Sequence, residues 1–202
     1  MKLYYSPGAC SMSPHIVLEE SGLPHRLERV DLKAKVTETG ADYTTINPKG
    51  YVPALVLDSG ELLTEGPAIV QYLADRVPEK KLAPAAGTME RYRMQEWLTF
   101  IGTELHKNFT SLYVPTSPPE WKAVVRPLME RRLTVASQLL GDKDHVLGDA
   151  FCVADAYLFT VLGWLRLVGI DLADWPNLAA FHARVRARPA VQAAMKAEGL
   201  IK

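Results

Sequence analysis

Apolar and polar positions change their spacing along the chain, and the spacing predicts which elements form. Up to about residue 80, short alternating runs typical of strands are separated by runs with apolar residues every three or four positions, typical of helices. The predicted strands are residues 2–5 and 27–30 and a hairpin of 54–57 and 61–63. Helices are predicted over residues 11–21, ended by Gly22, and over about 65–77.

The pattern changes after Pro78. Residues 78–87 are rich in proline, glycine and polar side chains, which is the composition of a linker. Beyond them there is no strand alternation, and apolar residues at steps of three and four predict only helices. These helices cover residues around 94–105, 128–140 and 153–168, with two shorter ones opening at Pro176 and Pro189.

The two patterns predict an α/β domain followed by an all-α domain. Because the order strand, helix, strand favours a right-handed crossover, the first two strands are predicted to be parallel. We place the α/β domain at residues 1–78, the linker at 79–87 and the all-helical C-terminal domain at 88–202.

Charge and composition exclude several classes of partner. The chain is 48% hydrophobic, and its 23 Lys and Arg residues equal its 23 Asp and Glu residues. A nucleic-acid binder normally carries a surplus of cations. The longest apolar run, 156–165, is shorter than a membrane span. With no apolar secretion segment and only two cysteines, we expect a cytoplasmic protein that binds neither nucleic acid nor membrane.

Cys10 lies between the first predicted strand and the first predicted helix. The unpaired N–H groups and the positive dipole end of a helix start stabilise a thiolate. The spacing Cys10-x-x-Ser13 is also typical of single-thiol redox turns. The alternative is a small buried cysteine without reactivity, and position alone does not decide between the two.

Pro53 stands at the start of a predicted strand, where a missing N–H is tolerated. If the Val52–Pro53 bond is cis, the N–H and C=O of Val52 turn outward and can pair with an extended, peptide-like ligand. The alternative is an ordinary trans proline in a loop, which is far commoner.

The segment Thr64-Glu65-Gly66-Pro67 begins the second predicted helix. Free N–H groups at Gly66 would hold a carboxylate, and Glu65 would hold an ammonium group, so the pair predicts a receptor for a zwitterionic amino-acid head group. Helix capping explains the same residues, with Thr64 as N-cap and Pro67 in the first turn. Both interpretations can hold at once.

A polar stripe is predicted on the long helix of the second half. Thr99, Thr103 and His106 are spaced by four and three positions, and Lys107 follows. A histidine and a lysine that face a thiol would stabilise its thiolate. The alternative is a solvated helix face.

Six stretches, which include those described above, occur together in a known family. They are YYSPGACS (4–11), NPxGxVPAL (47–55), LTEGPAI (63–69), ELHK (104–107), VADAY (153–157) and RPAV (188–191). The chain resembles bacterial glutathione transferases, most closely the cysteine-bearing beta class, over essentially its whole length.

The resemblance implies a thioredoxin-like N-terminal domain, an all-helical C-terminal domain and a homodimer. It implies that glutathione is the co-substrate and that no metal is needed. The backbone of Val52, on a cis bond to Pro53, would pair with the cysteinyl residue of glutathione. The γ-glutamyl head group of glutathione would lie at Glu65 and Gly66, and the sulfur of its cysteinyl residue would lie beside Cys10.

The resemblance also implies the remaining site residues. The candidate catalytic residues are Cys10, His106 and Lys107, with Tyr5 and Ser11 as secondary candidates. His106 and Lys107 would line the site for the hydrophobic co-substrate. Further candidate contacts to glutathione are Lys35, Tyr51, Thr99, Thr103, Glu104 and His106.

Three departures from the family pattern affect these expectations. Gly66 stands where a serine is common, and a lost hydrogen bond to a charged group is worth about 1.5–3 kcal/mol, so glutathione could bind more weakly. Thr99 replaces an asparagine that often reaches the other subunit's site. Cys152 opens a helix-start box that usually begins with Ser or Thr, so we expect Asp155 to carry most of the cap and Cys152 to be structural.

Three functions compete at this point. The leading hypothesis is a glutathione S-transferase that detoxifies xenobiotics by joining the glutathione thiolate to small hydrophobic electrophiles. The alternative is glutathione-dependent thiol–disulfide exchange or reductive dehalogenation through Cys10. A third is a binding protein without turnover, which the presence of Val52, Pro53 and Glu65 disfavours.

Overall fold

The computed structural model describes residues 1–202, which form two compact units. One unit comprises Met1–Ala83 and Ala187–Lys202, and the other comprises Pro84–Arg186. The last residues of the chain therefore belong to the same compact unit as the first ones, although the helical region separates them in sequence.

A mixed five-stranded sheet, in the order β3-β2-β1-β4-β5, lies in the first unit. Its strands are β1 (Lys2–Tyr5), β2 (Arg26–Asp31), β3 (Val36–Thr37), β4 (Ala54–Val56) and β5 (Leu62–Thr64). The pairing of β1 with β2 is parallel, which confirms the prediction, and the other three pairings are antiparallel. Because β1 is the central strand, Leu3, Tyr4 and Tyr5 are all buried.

Nine α-helices accompany the sheet. They are α1 (Met12–Ser21), α2 (Tyr43–Ile46), α3 (Gly66–Asp75), α4 (Met89–Phe100), α5 (Lys107–Tyr113), α6 (Pro119–Leu140), α7 (Val153–Leu162), α8 (Pro176–Arg186) and α9 (Pro189–Ala197). A π-helical segment, Ile101–His106, joins α4 to α5. None of these helices is long and apolar enough to cross a membrane.

Helix α1 is covered on two sides, by α3 and by α9. For this reason even its polar residues Ser13 and His15 are buried beside Ile16. The helix ends as the sequence predicts, because Gly22 adopts a left-handed φ of 69° and donates its N–H to Leu18 O at 3.1 Å.

The sequence pattern did not predict the short elements α2 and β3. They have four and two residues, too few for any hydrophobic period to be visible. Helix α2 nevertheless matters for the site, because its Tyr43 is fully buried in a core cluster with Tyr4, Val30, Val52 and Ala54. This cluster packs the segment before β4 against the sheet.

The second unit is all-helical in its regular structure, as predicted. All ten residues of α7 are buried, which fits its almost uniformly apolar sequence. The prediction that this helix extends to residue 168 was wrong: α7 ends at Leu162, Gly163 follows, and Leu165–Val168 forms a 3-10 turn. Apolar composition does not distinguish a helix from a buried turn that continues it.

Asp155 holds the start of α7, as the sequence indicates. Its fully buried carboxylate accepts the N–H of Cys152 at 2.7 Å and the N–H of Val146 at 2.8 Å. Burial is the main cause that raises the pKa of Cys152 well above its ordinary value. The Cys152 thiol therefore stays protonated, in keeping with a structural role.

Replacing Asp155 with alanine should lower the free energy of unfolding by about 2–4 kcal/mol, because two buried N–H groups lose a charged acceptor. Urea denaturation followed by circular dichroism measures the change. Asp171 is the matched control, since it caps an exposed 3-10 turn through Ala173 N–H at 2.9 Å. Asp171→Ala should cost about 1 kcal/mol or less. Equal losses in the two variants would contradict the role given to Asp155.

Candidate active site

The turn after β1 leads directly into α1 and carries Cys10. Ala9 N–H donates to Ser6 O at 3.0 Å, and Met12 N–H donates to Ala9 O at 3.0 Å. Ser11 is fully buried; its hydroxyl accepts Ser6 N–H at 3.1 Å and donates to Ser6 O at 3.3 Å. Ser11 therefore braces the turn from the inside of the protein.

A carboxylate from the end of the chain supports the same turn. Glu198 Oε2 accepts Gly8 N–H at 2.8 Å, and Glu198 Oε1 lies 2.8 Å from His15 Nδ1. The side chain of Glu198 is fully buried. No local sequence pattern signals this residue, because 190 positions separate it from Gly8.

The thiol of Cys10 contacts the segment before β4. Its Sγ donates to Val52 O at 3.1 Å, and the residue is partly exposed. The Val52–Pro53 peptide bond is cis, and both residues are buried. Two of the stretches singled out in the sequence, 42 positions apart, are thus in direct contact.

The loop before Val52 is anchored on both sides. Tyr51 O accepts Tyr43 Oη at 3.0 Å and Asn47 Nδ2 at 2.8 Å. The ammonium group of Lys35 donates to Gly50 O at 2.7 Å. Lys35, a predicted ligand contact, therefore orients the loop through its backbone.

Glu65 joins this loop to the start of α3. Its backbone φ of 71° lies in the left-handed region, which residues other than glycine rarely adopt. Its half-exposed carboxylate accepts Lys49 Nζ at 2.5 Å and Tyr51 Oη at 2.9 Å. The hydrogen bond to Glu65 is the first cause that raises the pKa of Lys49 and of Tyr51. This carboxylate is placed to bind an ammonium group.

Lys49 was not among the predicted site residues. The sequence offered one signal for it: Lys49 is a cation within the stretch 47–55, which also contains Val52 and Pro53. Its ammonium group also donates to Thr64 Oγ1 at 3.0 Å, so it ties the loop to β5.

Gly66 begins α3 beside the proline of the loop. A Cβ atom at this position would lie 3.9 Å from Pro53 Cγ, an ordinary van der Waals distance. The glycine is therefore not required for space. The first unit in this way connects Cys10, Val52, Tyr51 and Glu65 by consecutive contacts.

Tyr5, a secondary catalytic candidate, is buried at the end of β1. Burial is the first cause that raises its pKa, so its phenol stays protonated at neutral pH. Its ring centroid lies 6.2 Å from that of His15.

In the second unit, the π-helical segment carries Thr103, Glu104 and His106. Such segments occur often at functional sites. Thr99 and Thr103 are exposed, and their hydroxyls donate to the carbonyls of Gln95 at 2.8 Å and Thr99 at 3.0 Å. These hydroxyl protons are engaged by the helix itself.

The other polar groups of this region have defined partners. Glu104 Oε2 accepts Arg132 Nε at 2.5 Å, which fixes the carboxylate toward α6. His106 Nδ1 lies 2.7 Å from Tyr157 Oη. Lys107 is exposed.

His106 is also part of an aromatic cluster. Its ring centroid lies 4.9 Å from that of Trp164, which in turn lies 5.0 Å from that of Phe109. Phe109 and Trp164 are both buried, so the cluster belongs to the helical core, and the partly buried imidazole of His106 lies at its edge.

Comparisons with known proteins identify the family of this chain. The glutathione S-transferase N-terminal domain family matches residues 8–76, and the C-terminal domain family matches residues 100–189. Glutathione S-transferase GstA of Escherichia coli O157:H7 is 50% identical over 99% of this chain and 100% of its own.

Two solved structures cover this chain and their own chains completely. A beta-class glutathione S-transferase of Sphingomonas chungbukensis has 50% identity and a TM-score of 0.96. A sphingomonad glutathione S-transferase in complex with glutathione has 49% identity and a TM-score of 0.95. The chain therefore belongs to the glutathione S-transferase family, and the predicted fold and enzyme class are confirmed.

The positive φ of Glu65 should affect the free energy of unfolding of variants at this position. Glu65→Gly should be more stable than Glu65→Ala by about 1 kcal/mol, because glycine adopts a left-handed conformation without strain. The carboxylate is absent from both variants, so its loss cancels. Glu61, whose φ is not positive, is the control. There the glycine variant should be the less stable one by about 0.5 kcal/mol. Urea denaturation of the four variants measures both differences, and the same sign at both positions would contradict the argument.

Proposed function

We propose that this protein transfers the glutathione thiolate to small hydrophobic electrophiles such as aryl or alkyl halides. The thiol gives up its proton, the sulfur forms a bond to the carbon that carries the halogen, and halide leaves with the bonding electrons. The observation that carries the proposal is the chain of contacts from Cys10 through Val52 and Tyr51 to Glu65. These contacts place a thiol, a peptide backbone and a carboxylate in sequence. Glutathione presents the matching groups in the same order: its sulfur, its cysteinyl backbone and its γ-glutamyl ammonium group.

In this proposal glutathione lies extended along the first unit. Its γ-glutamyl ammonium group binds Glu65, and its α-carboxylate binds the N–H of Gly66 at the start of α3. Its cysteinyl backbone pairs with Val52 next to Pro53, and its sulfur lies beside Cys10. Tyr51 and Lys35 support this binding by shaping the loop.

We assign the electrophile to residues of the second unit. His106 and Lys107 would contact it, and the buried rings of Phe109 and Trp164 hold the imidazole of His106 in place from behind. Thr99, Thr103 and Glu104 serve as polar support. Most of the rate enhancement would come from holding thiolate and electrophile together.

The remaining roles in the first unit follow from burial. Tyr5 stays protonated and is a neutral hydrogen-bond donor, while Ser11 positions the turn that carries Cys10. Both are therefore proposed as positioning residues.

We infer a homodimer that works in detoxification of xenobiotics in the cytoplasm. Large apolar side chains are exposed on α4, where Met89 is 65% and Tyr92 is 56% exposed, and exposed apolar surface favours association. A reduced Cys10 is consistent with a reducing compartment.

Thiol–disulfide exchange through Cys10 is the second candidate function. The partly exposed thiol beside a peptide carbonyl supports it. The Cys10 thiolate would attack the glutathione sulfur of a mixed disulfide and release the other thiol. A second glutathione would then free Cys10 and leave as glutathione disulfide. Reductive dehalogenation would instead consume two glutathione thiols. The first would displace halide and form a thioether. The Cys10 thiolate would attack the thioether sulfur, so that the carbon leaves with the bonding electrons and takes up a proton. The second thiol would free Cys10 and give glutathione disulfide.

The direct test combines binding and turnover. Calorimetric titration of the protein with glutathione should give a saturable heat at one molecule per chain. Addition of 1-chloro-2,4-dinitrobenzene should then yield the thioether and chloride in equal amounts. Absence of both the heat and the product would overturn the proposal.

A Cys10→Ala variant separates the two candidate functions. If conjugation is the main activity, the variant should retain most of its thioether formation, because the attacking sulfur belongs to glutathione. Its reduction of the mixed disulfide of glutathione and 2-mercaptoethanol should fall to the uncatalysed rate. Unchanged exchange in the variant would exclude Cys10 as the redox thiol, and loss of conjugation alone would show that Cys10 serves the transfer.

Gly66 should limit the affinity for glutathione. A Gly66→Ser variant gains a hydroxyl that can donate to the carboxylate, worth about 1.5–3 kcal/mol, which is about a tenfold or greater decrease in Kd. The space beside Pro53 permits the added Cβ atom. Gly66→Ala is the matched control, because it adds the same Cβ without a hydroxyl and should leave Kd unchanged. Calorimetry with glutathione measures all three proteins. An equal Kd for the serine and alanine variants would contradict the placement of the carboxylate.

A further inference from the structure

Three potential metal ligands meet at the end of α1, in a cluster that glutathione binding does not use. His15 and Glu19 lie one helical turn apart on α1, and His25 lies in the loop just before β2. One ligand atom from each residue lies within 4.8 Å of the other two. Glu19 Oε1 is central, 3.8 Å from His15 Nε2 and 3.5 Å from His25 Nε2.

The hydrogen bonds of the two imidazoles assign the same tautomer to both rings. His25 Nδ1 lies 2.9 Å from Leu23 O, a group that can only accept, so Nδ1 carries the proton. His15 Nδ1 lies 2.8 Å from the Glu198 carboxylate, which also accepts. In the neutral rings each Nε2 then presents a lone pair toward Glu19.

His15 Nε2 has no hydrogen-bond partner, although its residue is completely buried. A buried polar nitrogen without a partner is unfavourable, and each such group in a folded protein calls for an explanation. A cation bound at this nitrogen supplies one. The carboxylate of Glu198 behind the ring is the usual outer partner of a metal-bound histidine, which it orients and makes more basic.

We propose that His15, Glu19 and His25 bind one divalent ion of the zinc class. Two imidazoles and a carboxylate are a ligand set that zinc uses, with water in the fourth position. In a tetrahedral zinc site neighbouring ligand atoms are about 3.3 Å apart. The separations of 3.8 and 3.5 Å from Glu19 need only small contractions, and all three ligand atoms, which lie within 4.8 Å of one another, would draw closer around the ion. This site is an addition to the sequence analysis, which expected no metal.

The position of the cluster suits reversible binding. His15 is inaccessible, but the side chains of Glu19 and His25 are 30% and 15% exposed, so an ion can reach the site from solvent. The bound ion would connect α1 to the start of β2 and would stiffen that loop. Because Glu198 contacts both His15 and Gly8, the same carboxylate supports the metal ligand and the turn before Cys10.

The test is a calorimetric titration with zinc chloride of the full chain carrying Cys10→Ser, in the absence of glutathione, because free thiols also bind zinc. We expect one zinc ion per chain. Glu19→Gln and His25→Ala should each weaken binding by more than about 100-fold, because the loss of an outer-shell partner alone typically costs about 10- to 100-fold. Glu79→Gln removes an exposed carboxylate elsewhere and should leave the affinity unchanged. Circular dichroism establishes that the variants are folded.

Cobalt chloride provides an independent readout on the same Cys10→Ser chain, because the partly exposed Cys10 thiol of the unmodified protein would bind the ion as well. Bound Co²⁺ should give the intense visible bands of a four-coordinate ion, without the near-ultraviolet charge-transfer band of a cobalt–thiolate bond. The proposal would be overturned if zinc failed to bind. It would also be overturned if either the Glu19→Gln or the His25→Ala variant kept the affinity of the Cys10→Ser parent, or if the cobalt spectrum showed a thiolate band. This test is independent of glutathione, so it can fail while the transferase function stands.

Discussion

The site of the first unit depends on the two contacts that the buried carboxylate of Glu198 makes. It accepts the N–H of Gly8, in the turn before Cys10, and it lies against the imidazole of His15. An uncompensated buried charge would be costly, so each of these polar groups needs the other. The turn is complete only when the last residues of the chain have returned to α1. The thiol is thereby positioned by a residue from the opposite end of the sequence.

The ligand side of the site is built from backbone groups held in unusual positions. Gly8 and Glu65 have positive φ, and the Val52–Pro53 bond is cis. Side chains from elsewhere hold these segments, including Lys49 on the carboxylate of Glu65. In our proposal these contacts hold the loop and the start of α3 in place before glutathione binds, which lowers the ordering cost of binding a flexible tripeptide. Because backbone groups make much of the proposed contact, few side chains need to touch glutathione.

Much of the fold could be predicted, because strands and helices follow local spacing. The alternation at residues 2–5 and the cap at Asp155 needed only neighbouring residues, and both predictions are confirmed. The elements that escaped were those without a period: the two residues of β3, the four of α2 and the early end of α7 at Leu162. Buried position and apolar composition are shared by helices and turns, so composition could not separate them.

The sequence by itself determined the order of the elements, the family and the three stretches that carry the candidate site, since these depend on residues close together in the chain. Only the tertiary structure decided that Glu198 meets Gly8, that Lys49 meets Glu65, and that His15 and Glu19 face His25. Such contacts depend on how helices pack over the sheet and where loops turn back. Local spacing carries no information about these distances, because packing of the whole chain sets them.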